Sequence, residues 1–381
     1  MHIAYNGWFW DQPGTGSGQY ARRLLHALRR LSPELRMSLI LPPGAEPDDL
    51  PANVDVIETR GSRSNLGKVW WEQNTFPRAV AKLRPDIAHV LYWGAPLSSP
   101  ARLVTSVLDV IALELPEYAE NWRARLYTSL VAASARGSAH VLTLSHAAKT
   151  DILKHLQLAD DQVTVTHLAA DERFHPRLGA ERDAEVRRKY DLPDRFILYM
   201  GGFDVRKRVT QLLHAFTYVS QAEGDEAPLV IAGREPRWGT PMFPDLRALA
   251  DELKVADFTR WIGYVDEEDK PSLYRLATVF VYPSAYEGFG LPLLEAMACG
   301  TPVIANEIPV FEEISGDAVY LTRDGDARAM AGAILAVLGQ DSLRETQITR
   351  GLAQATNFSW RKAARTTLEV YEKVMAMPAG R

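Results

Sequence analysis

The chain has 381 residues, 46% of them hydrophobic and 24% charged, and a formal net charge of −5 at neutral pH. That length exceeds one ordinary domain and suits two of about 150–200 residues each. The negative balance gives generic nucleic-acid binding no support, and a single cysteine, Cys299, rules out an internal disulfide and suits a reducing compartment. No apolar run approaches the roughly 20 residues of a transmembrane helix. Met1-His2-Ile3-Ala4-Tyr5 shows no basic region followed by a hydrophobic core, so a cytoplasmic, soluble protein is expected.

In chain order, 2–5 reads as a first strand. An aromatic loop, Asn6-Gly7-Trp8-Phe9-Trp10, and the glycines of Gly14-Thr15-Gly16-Ser17-Gly18 lead from it into a helix over 19–31. Strand, glycine loop and helix together let a backbone approach a phosphate, although such glycines also suit a flexible loop. Arg22, Arg23, Arg29, Arg30 and Arg36 cluster on and just past this helix. They read either as a solvated face or as a basic surface for peripheral contact with anionic lipid at the inner face of a membrane.

Strands follow at 37–41, 54–58, 86–91 and 103–108, the last running into Asp109, with a helix over 69–83. A helix over 122–135, a strand at 140–144, a helix over 147–155 and a strand at 163–167 complete this series. Apolar strands that alternate with helices imply a parallel sheet covered on both faces. The charge-rich stretch 171–194 reads as a linker with a short helix. A second series has strands at 196–200, 229–232, 258–262, 279–282, 303–305 and 319–321. Its helices are expected at 209–221, 243–254, 270–276, 292–299 and 327–338, with a last helix over 360–375. The chain is thus α/β, with two doubly wound, Rossmann-like domains expected to face each other across a cleft. The divisions are 1–175, 176–357 and a terminal segment 358–381 that packs back on the first domain.

The stretch Glu287-Gly288-Phe289-Gly290-Leu291-Pro292-Leu293-Leu294-Glu295 follows a buried strand and opens a helix, with Pro292 in the first turn. It offers unpaired N–H groups and a helix dipole to an anion, with carboxylates at Glu287 and Glu295. Glu295 also suits the dipole as an early helical residue, whereas Glu287 in a glycine loop has no evident structural task. At Gly201-Gly202-Phe203-Asp204-Val205-Arg206-Lys207-Arg208 three cations precede a helix, the unfavourable end for them. An anion, a diphosphate or Asp204, would compensate. Asp109 at a strand end either forms a turn or positions an acceptor hydroxyl. Asp324-Gly325-Asp326 reads as a helix cap rather than a metal pair, and the nine histidines show no metal-ligand spacing. Trp8, Phe9, Trp10, Trp70, Trp71, Tyr92 and Trp93 are either core or platforms for a sugar.

These motifs resemble those of the retaining glycosyltransferases of family 4, which have the GT-B architecture of two Rossmann domains. Glu287 to Glu295 is similar to that family's E-x7-E signature. The Gly14–Gly18 loop, Gly201-Gly202 with Arg206-Lys207, Gly263-Tyr264-Val265, Gly300-Thr301-Pro302 and Phe358-Ser359-Trp360 resemble its other motifs. Trp71-Glu72-Gln73 and Leu113-Glu114-Leu115-Pro116-Glu117 are similar to the mannosyltransferase-like branch. The resemblance implies a hexosyltransferase that uses a nucleotide diphosphate sugar as co-substrate, GDP-mannose before UDP-sugars, with no cofactor and no metal. It implies that Arg206 and Lys207 hold the diphosphate and Glu295 the ribose. Glu287, with the backbone of Gly288, Phe289, Gly290 and Leu291, would contact sugar and phosphates. Gly263, Tyr264 and Val265 would lie near the base, Gly202 beside the phosphates, and Gly16 near them from the other domain. The acceptor would be a glycan or lipid-linked sugar. Leu108 stands where many members have histidine, which leaves Asp109 as the neighbouring catalytic candidate and keeps a non-catalytic sugar-nucleotide binder as an alternative. An epimerase on the same scaffold would need a histidine and carboxylate set that these motifs do not supply.

Overall fold

The computed structural model describes residues 1–119 and 122–378; residues 379–381 of the expected terminal segment lie outside the described residues. Two compact units divide the chain, one of Met1–Leu168 with the chain from Ser359 onward, the other of Ala169–Phe358. The first boundary falls before 175 because the stretch after Ala169 is tied to the second unit. The Phe174 ring stands edge-on to Tyr274 at 6.0 Å, and Arg173 pairs with Glu267 at 3.5 Å.

The first unit is built on strands β1 (His2–Asn6), β2 (Arg36–Leu41), β3 (Val54–Glu58), β4 (Ile87–Val90), β5 (Arg102–Ser106), β6 (His140–Thr143) and β7 (Val163–Val165). They form one sheet in the order β3-β2-β1-β4-β5-β6-β7, and neighbouring strands are parallel. The second unit uses β8 (Ile197–Met200), β9 (Leu229–Ala232), β10 (Thr259–Gly263), β11 (Val279–Tyr282), β12 (Val303–Asn306) and β13 (Tyr320–Thr322). Its order is β10-β9-β8-β11-β12-β13, again parallel. Every residue of β8, β9, β11 and β12 is buried. That explains why these strands read as unbroken apolar runs, since helices cover both faces. Both sheets reverse their order once, between β1 and β4 and between β8 and β11. At such a switch point the loops leaving the carboxyl ends part and leave a crevice. Among the described residues no helix is long and apolar enough to cross a membrane.

Three departures from the sequence expectation have local causes. The strand at 103–108 stops at Ser106, and the Asp109 carboxylate accepts the Ile111 N–H at 3.1 Å to turn the chain into a short helix. The helix over 69–83 is three pieces, Asn65–Trp70, a π-turn at Trp71–Thr75, and Phe76–Leu83. Pro77 lacks the N–H that would continue α-type bonding, and the Phe76 N–H reaches back to the Trp71 carbonyl. The helices Pro309–Ser315 and Asp341–Ala355 are additional to those expected; Pro309 opens the first and Gly316, at φ 55°, closes it. The second buries Gln347 and Gly351 rather than an apolar stripe, and no side chain caps its start.

The terminal helix, Trp360–Ala376, lies on the first unit against the Gly16–Leu31 helix. Arg102 donates to the carbonyls of Val374, Met375 and Met377 at 2.9, 2.7 and 2.6 Å, closing the helix end. Inside, the Tyr371 hydroxyl lies 2.6 Å from His89 Nδ1, whose Nε2 lies 2.8 Å from Ser106 Oγ. Tyr20 shares Ser106 Oγ at 2.9 Å. Burial pushes the His89 pKa down to about 3, so the ring is neutral. Tyr371→Phe strands His89 Nδ1 in a site with no exposure, and is expected to destabilise the protein by about 1–3 kcal/mol in urea titrations.

Candidate active site

The carboxyl ends of β8 and β11 carry the residues that the sequence singled out. After β8 the chain makes a tight 3-10 turn, Val205–Lys207, and Arg208 adopts a left-handed φ of 52° before the Val209–Glu223 helix. The Ala285 N–H bonds the Arg206 carbonyl at 2.9 Å, which ties this turn to the loop after β11. Both cations then converge on one carboxylate. Arg206 Nη1 lies 2.8 Å and Lys207 Nζ 2.5 Å from Glu287 Oε1. The Tyr282 hydroxyl accepts from Lys207 Nζ at 2.8 Å and donates to Glu287 at 2.8 Å. Arg206 Nε also faces Asp204 at 3.3 Å.

Glu287 therefore has a structural task that its glycine-rich setting concealed. Burial alone would push its pKa up, but Lys207 and Arg206 outweigh that and hold it at about 2. Burial lowers the Lys207 pKa, partly offset by Glu287. In the cluster two positive charges share the Glu287 carboxylate, with Asp204 beside Arg206, at a switch point where a ligand crevice is expected. Sequence reading missed Tyr282, the last residue of β11, because an aromatic at a strand end reads as core.

The following loop keeps its backbone near this cluster. Gly290, at φ 95°, starts the Leu291–Ala298 helix, and a Cβ there would meet the Phe311 ring at 2.7 Å. Only glycine fits both constraints. The Phe289 side chain is buried, with its ring 6.0 Å from Phe358, so this residue has only its backbone to offer a ligand. Gly202 lies in the same β8 loop, its carbonyl accepting the Tyr199 hydroxyl. Gly263, φ 71°, ends β10 in a bulge. Tyr264 beyond it is exposed under the Arg234 guanidinium, 5.3 Å from the ring centroid, while Val265 is buried. Gly16 and Asp109 belong to the other unit, after β1 and β5.

Glu295 is the fifth residue of its eight-residue helix, not an early one. It is buried and accepts a hydrogen bond from Tyr274 Oη at 3.2 Å. Desolvation, only partly offset by Lys270, raises its pKa to about 7, so the helix dipole does not account for it. A carboxyl with a raised folded pKa favours the folded state at low pH. That contribution is full below the unfolded value of about 4.5 and is lost as pH rises through 7. Glu295→Gln, which can still accept from Tyr274, is therefore expected to raise the melting temperature of the nucleotide-free protein at pH 8 by several degrees. The gain is on the order of 3 kcal/mol at most and shrinks toward nothing at pH 5 in a scanning-fluorimetry series.

Other residues singled out in the sequence have defined surroundings. Arg22 is buried, paired with Asp48 at 2.7 Å and bonded to the Trp10 carbonyl at 2.7 Å. Arg29 donates to the carbonyls of Pro33 and Asn53, and Arg36 faces Asp55 at 3.5 Å. The basic helix thus spends much of its charge within the protein, which weakens it as a lipid-facing surface. Trp8, Trp10, Trp71 and Tyr92 are core, while Trp70 is exposed. Asp326 caps the Ala327–Gly339 helix, accepting from Ala329 N at 2.8 Å.

Comparison with known proteins agrees with this architecture in both halves. The sequence profile for "Glycosyltransferase Family 4" matches residues 14–174, and that for "Glycosyl transferases group 1" matches residues 182–354. An O-antigen chain mannosyltransferase B of Escherichia coli is 34% identical over 300 residues, covering 78% of this chain and 77% of its own. The sucrose-phosphate synthase of Thermosynechococcus elongatus superposes with a TM-score of 0.80 at 21% identity, over 99% of both chains. The HepE protein of Anabaena, solved in complex with UDP and glucose, superposes with a TM-score of 0.74 at 16% identity, over 97% of this chain and 99% of its own. Two parallel sheets, a profile match to each half and a mannosyltransferase relative across most of the length place the chain in glycosyltransferase family 4, as an enzyme of the two-Rossmann GT-B type.

Proposed function

We propose that this enzyme moves mannose from GDP-mannose to a hydroxyl of a glycan or lipid-linked acceptor, with retention of the anomeric configuration and without a metal ion. The observation that carries the reading is the convergence of Arg206 and Lys207 at the β8–β11 switch point. As the bond from the sugar to the donor phosphate breaks, positive charge grows on the ring and negative charge on the departing diphosphate. Preorganised cations and the N-terminal N–H groups of the Leu291–Ala298 helix stabilise that diphosphate. The two side chains supply the charge that a divalent ion provides in other transferases. In a front-face reaction the leaving phosphate oxygen takes the acceptor proton, so no separate strong base is needed. Asp109 positions the acceptor hydroxyl, Glu287 the sugar, and Glu295 the ribose hydroxyls. The backbone of Gly202, Gly288, Phe289, Gly290 and Leu291 lines the phosphates. Gly263, Tyr264 and Val265 flank the base. A cytoplasmic setting is in keeping with the unpaired Cys299.

Mannose is favoured by the kinship with a mannosyltransferase; a UDP-sugar donor is the second reading, supported by the UDP complex of a fold neighbour. A melting-temperature panel of GDP, UDP, ADP and their sugars separates them. GDP is expected to give the largest shift, and a larger one with UDP would overturn the choice of base. Release of GDP from GDP-mannose distinguishes an enzyme from a sugar-nucleotide binder, which would shift in melting temperature yet release nothing. Glu295→Gln is also expected to weaken GDP about tenfold, the effect of one charge-assisted hydrogen-bonded contact.

A further inference from the structure

A second polar cluster lies in the first unit, at the switch point between β1 and β4. Glu72, in the π-turn, is fully buried. It accepts from the Tyr92 hydroxyl at 2.7 Å and from the Tyr127 hydroxyl at 3.1 Å. Lys68, one turn earlier, pairs with it at 3.6 Å. The Lys68 ammonium sits in a cup of aromatic rings, 5.0 Å from Tyr92, 5.1 Å from Phe9 and 5.3 Å from Tyr127. The backbone is shaped to admit this cluster. A Cβ at Gly94 would lie 2.7 Å from Glu72 Oε1 and 2.1 Å from the Tyr92 ring.

Burying an ion pair rarely stabilises a fold as much as apolar packing would, and the donor clamp does not use this one. Its components differ in access. Glu72 is sealed, whereas the Lys68 side chain keeps 24% of its exposure, and Phe9 and Tyr127 are half-buried. Phe9 leaves the carboxyl end of β1 and Tyr92 that of β4, where open sheets bind ligands. Glu72 balances the Lys68 charge, so the partly exposed rim favours a neutral hydroxylated ligand over an anion. Aromatic rims stack on the C–H face of a pyranose while an ammonium donates to its hydroxyls.

We infer that Lys68, held by Glu72 within the Phe9, Tyr92 and Tyr127 rings, binds the sugar unit of the acceptor. The inference rests on the glycosyl-transfer reading above for the identity of that sugar. Lys68 would touch the acceptor, and Glu72 is a positioning residue that aims it.

Saturation-transfer NMR with methyl α-D-mannopyranoside tests binding without turnover. Wild type is expected to give a signal that falls at least tenfold in Lys68→Met and in Phe9→Leu, the latter keeping the apolar bulk. Lys68→Arg should recover part of it. In steady-state assays Lys68→Met should raise the KM for the mannoside at least tenfold and leave that for the donor unchanged. Glu72→Gln should raise the same KM, by less. A wild-type protein that does not bind the mannoside, or a Lys68→Met protein that binds it equally, overturns the inference. Mannoside binding that depends on Lys68, in a protein that releases no nucleotide from any sugar donor, would instead defeat the glycosyl-transfer reading.

Discussion

Lys207→Ala is expected to lower turnover at least about 100-fold at saturating donor, the loss typical of removing one preorganised donor to a developing anion. The Lys207 ammonium is fixed by Tyr282 and Glu287 rather than left to sample rotamers, so little reorganisation accompanies the growth of charge on the diphosphate. Arg206 is held in the same way, by Glu287 and by the Tyr286 carbonyl at 2.8 Å, and its alanine variant should fall in the same range. On the proposed reading both cations act on one leaving group, so the double variant should lose less than the product of the two losses. Turnover of Lys207→Ala within a few-fold of wild type, in a protein with an unchanged melting profile, would remove Lys207 from this role.

Glu287→Gln should have the largest effect on stability. Lys207 is 8% exposed, and glutamine keeps hydrogen-bonding capacity but leaves Lys207 without its counter-charge and Arg206 with Asp204 alone. Removing one partner of a buried pair costs about 3–5 kcal/mol. The cost depends on pH in a defined direction. Glu287 has a folded pKa of about 2, below its ordinary value near 4.5. Its ionised form stabilises the wild type fully above that ordinary value, and the contribution is lost as pH falls toward 2. Denaturant midpoints of variant and wild type should therefore differ at pH 7 and converge at low pH. On the proposed reading a nucleoside diphosphate would bring negative charge to the same cations, so GDP should raise the melting temperature of Glu287→Gln more than that of wild type. An equal shift in both would mean that the phosphates bind elsewhere.

The same carboxylate shows how two partners far apart in sequence acquire a shared purpose. Glu287 and Lys207 are 80 residues apart, and no local pattern links them. They meet because β8 and β11 are hydrogen-bonded neighbours at the switch point. Asp109 shows the reverse. Its place near a strand end was legible, but the strand stops at Ser106 and its carboxylate accepts from the turn that follows. Glu295 was legible as a helical carboxylate, yet its exposure was not, and exposure decides whether a helix dipole or desolvation governs its charge.

The order of residues alone specified the two doubly wound halves, because buried parallel strands must be apolar along their whole length and the helices between them carry periodic faces. It also determined the motifs around Gly201, Glu287 and Glu295, whose residue types and spacing are local. Packing between distant segments is what brings Arg206 and Lys207 onto one carboxylate, turns Arg22 inward to Asp48, and sets Lys68 and Glu72 against rings from the loops after β1 and β4 and from the Trp122–Arg136 helix. Charge balance and burial belong to contacts between distant segments, and periodicity along the chain carries no record of which charges will be brought together.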